Sequence, residues 1–223
     1  MSVHKDFEQT LAKFERRILA QMTTPMRIQA FLDKLPYSVE TGYRCPLRVL
    51  RERVVHCFDG ALFAAAALRR FGNPPLILNM IANDEDDDHI LALYNRDGHW
   101  GAIAKSNFAG LRFREPIYRT LRELVMSYFE QFYNVERKKT LRSYTVPLNL
   151  KAFDKFNWMT SDPPIGKIGK RLDEIRKVRI LTRGMIAGLS LIDERSYRAG
   201  LVGTNRAGLY QPYKRVTRKP EKF

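Results

Sequence analysis

Apolar residues recur every three or four positions from residue 5 to 22, where Phe7, Leu11, Phe14, Ile18 and Met22 share one face of an expected amphipathic helix. Thr24 and Pro25 offer an N-cap and a first-turn proline for a second helix. Met26, Ile28, Phe31 and Leu32 give that helix its apolar side, and it stops at Leu35 and Pro36. From Tyr37 to Cys45 the periodicity fades, as in a loop. The stretch from Cys57 to Leu68 has a different pattern, because between Gly60 and Leu68 no face carries a polar side chain. A helix apolar all round is a buried helix. Gly72 and Pro74 stop it, and Arg69 and Arg70 suit the negative end of its dipole. Cys57 thus opens a central, buried helix.

Pro75 to Ala82 reads as a strand, and Asn83 to Asp88 as an acidic loop. His89 to Tyr94 and His99 to Ala104 then flank an Asp97-Gly98 pair, the signal of a tight hairpin. Thr120 and Glu123 form a capping box that opens a helix predicted to reach about Phe132. Beyond Pro147 the texture changes. Ser161 to Gly166 reads as a turn or linker, Ile168 to Arg179 as a helix, and Arg206 to Phe223 as a loosely ordered end without periodicity. The expected division is a core over residues 1–150 that includes the N-terminal helices, followed by a C-terminal extension over 151–223.

Composition narrows the class. A chain of 223 residues with 44% hydrophobic and 28% charged content has room for one sizeable core, and it is not a disordered composition. Two cysteines make neither a disulfide framework nor a four-cysteine zinc site. The start lacks a basic-then-apolar leader, and no apolar run approaches the roughly 20 residues of a membrane span. The expectation is a soluble, cytoplasmic protein with no membrane contact. Its net charge of +15 is uneven, with +5 in residues 1–150 and +10 in 151–223. Tyr210, Tyr213, Lys214, Arg215, Arg218 and Lys219 mix bases with aromatics, so the tail is a candidate contact for a polyanion. It is equally a solvated basic end.

Three features in chain order suggest chemistry. Cys57 opens a helix, His89 opens a strand, and Ser106-Asn107 follow the next strand. A thiol gains nucleophilicity from a helix N-terminus and a nearby imidazole, and the imidazole needs a third group to hold its tautomer. An inert buried thiol and a hydrogen-bonded strand histidine are the structural alternatives. The run Asp84 to Asp88 lacks the spacing of a calcium loop and reads as a solvated turn. Asp59 complements the helix dipole, Cys45 reads as structural, and His56 and His99 receive no role.

His56-Cys57 with the apolar helix, then Asp86 to His89, then Gly98 to Ala102, together resemble the core of transglutaminase-like proteins, a branch of the papain-type cysteine enzymes. The resemblance covers roughly residues 25–145, and the flanks Leu50 to Val55 and Leu111 to Phe132 are similar to a bacterial subgroup. It implies an α+β fold in which a buried cysteine-bearing helix packs on an antiparallel sheet. It further implies acyl transfer or hydrolysis at an amide or peptide carbonyl through a thioester, on a protein or peptide substrate, without metal or organic cofactor. Two positions depart from the family pattern. Phe58 stands where many members have tryptophan, and no acid follows on the second hairpin strand, so Asn107 stands in to complete a Cys57–His89–Asn107 triad. A two-residue turn at Asp97-Gly98 would instead set Ser106 opposite His89, and Asn107 would need a bulge to reach it. The other reading is a catalytically silent domain that binds a partner, with its basic end on nucleic acid or an acidic protein.

Overall fold

The computed structural model describes residues 3–40 and 42–211. The chain enters through α1 (Val3–Thr10), α2 (Lys13–Ala20), α3 (Pro25–Asp33) and α4 (Pro46–Glu52) before running into α5 (Cys57–Leu68). The single helix expected over residues 5–22 is broken in two. Glu15 turns its carboxylate back onto the Ala12 N–H, Oε2 to N 2.6 Å, and so starts a new first turn. The break keeps Phe7, Leu11, Leu19 and Met22 in the core but turns Phe14 out, leaving it 60% exposed. Helix α3 follows its sequence signals, with Thr24 Oγ1 accepting from the Arg27 N–H. Helix α4 had no counterpart in the sequence reading. Pro46 fixes its first turn and Arg53, at φ 60°, ends it.

All twelve residues of α5 are buried. Around it the chain builds β1 (Leu76–Ala82), β2 (His89–Arg96), β3 (His99–Ile103), β4 (Arg114–Tyr118), α6 (Leu121–Met126), β5 (Leu141–Thr145), β6 (Leu148–Asn149), α7 (Pro163–Glu174), β7 (Lys177–Arg179), α8 (Arg183–Ala187) and α9 (Glu194–Gly200). The strands form one seven-stranded antiparallel sheet in the order β4-β3-β2-β1-β5-β7, with β6 paired to the start of β1. The fold is therefore α+β. The β2–β3 hairpin closes through Asp97 and Gly98, both at positive φ (51° and 79°), and pairs Arg96 with His99 as the two-residue turn requires.

Both faces of the sheet are covered, which explains why β2 reads as a continuous apolar run rather than an alternating one. Ile77, Ile90, Ala92, Tyr94 and Ile103 face α5 and the N-terminal helices. Leu78, Met80, Leu91, Leu93 and Ala102 face the other way, toward Leu124, Val125 and Tyr128 of α6 and its continuation. Helix α6 stops at Met126, short of the expected Phe132. The residues that follow turn inward instead, and the Tyr128 hydroxyl donates to the Arg112 carbonyl at 2.7 Å.

The residues after 150 belong to the same core. Strand β7 pairs with β5, and Trp158, Met159, Ile165, Ile168 and Leu172 pack into the cluster around α5. Pro163 and Pro164, expected in a linker, open α7, and the helix expected to run to Arg179 ends at Glu174 so that Lys177–Arg179 joins the sheet edge. The fully buried Trp158 donates its indole N–H to Asp154 at 3.0 Å, and Asp154 holds Arg69 at the end of α5 through paired bonds of 2.7 and 3.0 Å. Of the basic tail, Tyr213, Lys214, Arg215, Arg218 and Lys219 lie outside the described residues. No described helix is long and apolar enough to cross a membrane.

This shared core makes a prediction. Trp158→Ala should cost about 3–5 kcal/mol in a single denaturant transition, the usual loss for a large buried aromatic. A second, separate transition, or a loss below about 1 kcal/mol, would show that the C-terminal third folds on its own.

Candidate active site

Cys57 sits at the first turn of α5 because a polar clamp holds the turn before it. Asp59 is fully buried and accepts from the His56 N–H at 3.3 Å and the Arg44 N–H at 3.0 Å. Burial raises its carboxyl above the usual range, and these donors pull against that rise. The Arg44 guanidinium lies 3.7 Å away and is itself bonded to Glu52 and Glu40. This network pins the loop ahead of α5 and so fixes where the sulfur points.

The sulfur opens into a small cleft of about 50 Å³ at the end of the sheet where β2 begins, lined by Tyr37, Cys57, His89, Asn107 and the C-terminal segment at Leu209 and Tyr210. Asn79 on β1 holds Asp88, which lines one wall. The Asn79 Nδ2 donates to Asp88 at 2.7 Å while the Ala82 N–H donates to the same carboxylate at 3.0 Å, which leaves the Asp88 carbonyl 4.0 Å from Sγ. The loop expected to be a solvated acidic turn exposes Asp84, Asp87 and Asp88, while the Asp88 and Asp86 carboxylates also make internal bonds. Asp86 accepts from Thr140 Oγ1 at 2.5 Å, and burial pushes its carboxyl up to about 6.

Three aromatic or imidazole groups surround the thiol. His56 Nδ1 lies 3.3 Å from Sγ, and burial lowers its basicity, which keeps the ring neutral at neutral pH. The Tyr37 hydroxyl is hydrogen-bonded to Cys57, and its ring lies against His56 with centroids 5.1 Å apart. Burial first, then the charges of Cys57 and Asp87, hold that phenol well above its usual range. His89 lines the same cleft but faces it from the other side of the sheet. Alternation along β2 puts it with Leu91 and Leu93, away from α5. Its Nε2 lies 2.8 Å from the Leu111 carbonyl and its ring packs edge-on to Phe132. A carbonyl only accepts, so Nε2 carries the proton and Nδ1 is the basic nitrogen of the neutral ring. Among the described residues, the hydrogen bonds of Sγ run to His56, Tyr37 and the Asp88 carbonyl, and none runs to His89.

The proposed third member has other partners. Asn107 borders the cleft, but its side-chain amide is taken up by Asn205, and Ser106 Oγ accepts from the Phe108 N–H at 2.9 Å. The hairpin register does run toward Ser106 opposite His89, and the group that orients the imidazole is the Leu111 carbonyl, in the loop before β4. A main-chain acceptor leaves no trace in a sequence. His56 and Tyr37 were also missed, since a histidine beside a cysteine and a tyrosine in an aperiodic loop carry no pattern of their own.

Cys45 differs from Cys57. It is the N-cap of α4, its N–H donates to Asp162 at 2.8 Å, and burial pushes its thiol up to about 12. No protein-family model matches the chain, and no curated protein matches it in sequence.

Two outcomes follow. In the native protein at pH 7 to 8, iodoacetamide should leave Cys45 unmodified, and peptide mapping that finds it alkylated as fast as Cys57 would contradict this environment. Asp86 gives a pH signature. Its folded-state proton is held to about 6, whereas the unfolded chain releases it near pH 4. Stability attributable to this group is therefore full below roughly pH 4 and falls as pH rises toward 6. Asp86→Asn should gain about 2–3 kcal/mol at pH 7.5 relative to its effect at pH 4. An effect independent of pH would remove the buried acid from the account.

Proposed function

We propose that this chain is a cysteine-dependent acyltransferase or hydrolase acting on an amide or peptide carbonyl, with a papain-like, transglutaminase-like core. The observation that carries the reading is the shared cleft: a thiol at the first turn of a buried helix, and an imidazole whose Nε2–H is pinned by Leu111 so that Nδ1 is the base. Cys57 gives its proton to His89 Nδ1 as its sulfur bonds to the carbonyl carbon. The helix N-terminus supplies positive potential for the thiolate and for the oxyanion. The tetrahedral centre collapses as the C–N bond breaks, His89 returns the proton to the leaving amine, and a thioester remains on Cys57. Water or an acceptor amine then attacks the thioester and regenerates the thiol. These steps use side chains and main chain alone. His56 and Tyr37 hold the sulfur at rest, and the Leu111 carbonyl takes the orienting role first considered for Asn107.

A second reading has its own observation. Because Sγ is bonded to His56, Tyr37 and the Asp88 carbonyl rather than to His89, the same cleft suits a domain that binds a partner without turning it over.

The two readings separate on the thiol's reactivity. His89→Ala should slow alkylation of Cys57 by about 10²-fold, the scale of a lost general base, with a smaller effect from His56→Ala. Cys57→Ser should abolish release of ammonia, or transfer to an added primary amine, from a glutamine-containing peptide. If His56→Ala has the larger effect, the base is His56. If neither substitution changes the alkylation rate, the binding reading replaces the enzyme.

A further inference from the structure

The last described stretch of the chain, residues 204–211, crosses the mouth of the cleft. Asn107 holds it by a two-point clamp. Its Nδ2 donates to the Asn205 carbonyl and its Oδ1 accepts from the Asn205 N–H, both at 2.9 Å. Thr204 Oγ1 donates to the Asn107 carbonyl at 2.8 Å, and Asn205 Nδ2 donates to the Tyr37 carbonyl at 3.1 Å. Three residues on, Gly208 lies so close that a Cβ there would come 2.9 Å from the Tyr37 ring and 3.3 Å from Asn107 Nδ2. Gly208, Leu209 and Tyr210 then form a wall of the cleft that contains Cys57 and His89. The Tyr210 hydroxyl is buried there with no hydrogen-bond partner among the described residues.

Two features bear on what this strap does. The Asn107 clamp reads the N–H and C=O of one residue's main chain, a pair that any extended peptide presents whatever its side chains. The strap also leaves the buried Tyr210 hydroxyl without a hydrogen-bond partner among the described residues, a cost to its present seating. Two of the strap's four bonds use only its main chain, so another peptide that makes those same two main-chain bonds to Asn107 can take its place. We propose that residues 204–210 occupy a peptide groove from within, that an extended polypeptide displaces them, and that Asn107 is the main-chain clamp for that polypeptide. The groove and its occupant rest on these contacts. Only the description of the incoming polypeptide as substrate rests on the acyl-transfer reading.

The test uses the full chain. Gly208→Val places a branched side chain against Tyr37, and Asn205→Ala removes the bond to the Tyr37 carbonyl. Iodoacetamide labelling of Cys57 should accelerate about tenfold in Gly208→Val and less in Asn205→Ala, as expected when a local covering segment opens. A synthetic peptide spanning residues 203–211, added to Gly208→Val, should restore slow labelling, and a scrambled peptide should not. Adding Asn107→Ala should abolish that protection. Should Gly208→Val fail to fold, Asn205→Ala carries the same comparison. Unchanged labelling in both folded variants, or no protection by the peptide, would make the strap a fixed wall and overturn the proposal. The outcome is separable from that of the catalytic reading. Peptide protection of a thiol indifferent to His89 would support the groove and remove the enzyme. A His89-dependent thiol indifferent to the strap would do the reverse.

Discussion

Helix α5 has to be surrounded. Every one of its residues from Cys57 to Leu68 is buried, so the chain must bring apolar surface to it from all directions. Its four consecutive alanines let neighbours approach closely, and the sheet lies on one side with α3 and α4 against others. The residues beyond 150 complete the enclosure through Trp158, Ile165, Ile168 and Leu172. The polar ends of the helix are then the difficulty, because buried termini need partners. Asp59 answers at the N-terminus with Arg44 behind it, and at the C-terminus the Asn73 N–H donates to the Leu68 carbonyl at 3.3 Å. Cys57 inherits its position from this arrangement.

The same constraint explains why the cleft lies where it does. A sheet covered on both faces offers openings only at its ends, and the N-terminus of α5 reaches the end where β2 starts. There the two faces meet, with Cys57 arriving from the helix side and His89 from the other. That geometry brings thiol and imidazole into one cleft while giving the resting sulfur to His56 and Tyr37. Two carboxylates of the loop before β2 work structurally at this corner, Asp88 with Asn79 and the Ala82 N–H, and Asp86 with Thr140.

The C-terminal strap adds a layer that reaches the site from about a hundred residues away in the chain. Asn107 is well placed to border the cleft, and its amide is well suited to a peptide main chain. Those two properties suit it to the binding role proposed above. The His89 Nε2–H goes to the Leu111 carbonyl instead, and holding a histidine tautomer requires only such an acceptor.

Much of the architecture was legible in the sequence. The apolar helix from Cys57, the Asp97-Gly98 hairpin and the capped starts of α3 and α6 each depend on local chemistry, on propensity, periodicity and turn geometry that neighbouring residues settle among themselves. Cys57 and His89, singled out in the sequence as candidate nucleophile and base, both line one cleft. What the tertiary structure alone decided was which face of β2 meets α5. Both faces are apolar, so no pattern of hydrophobicity distinguishes them, and a histidine at the strand's first residue could belong to either. It also decided that Glu15 splits the first helix, that residues after 150 join the core, that the Leu111 carbonyl takes the imidazole N–H, and that Asn107 holds the strap. Each of these depends on contacts between segments distant in sequence or on main-chain groups that every residue possesses, and neither leaves a signature in the order of side chains.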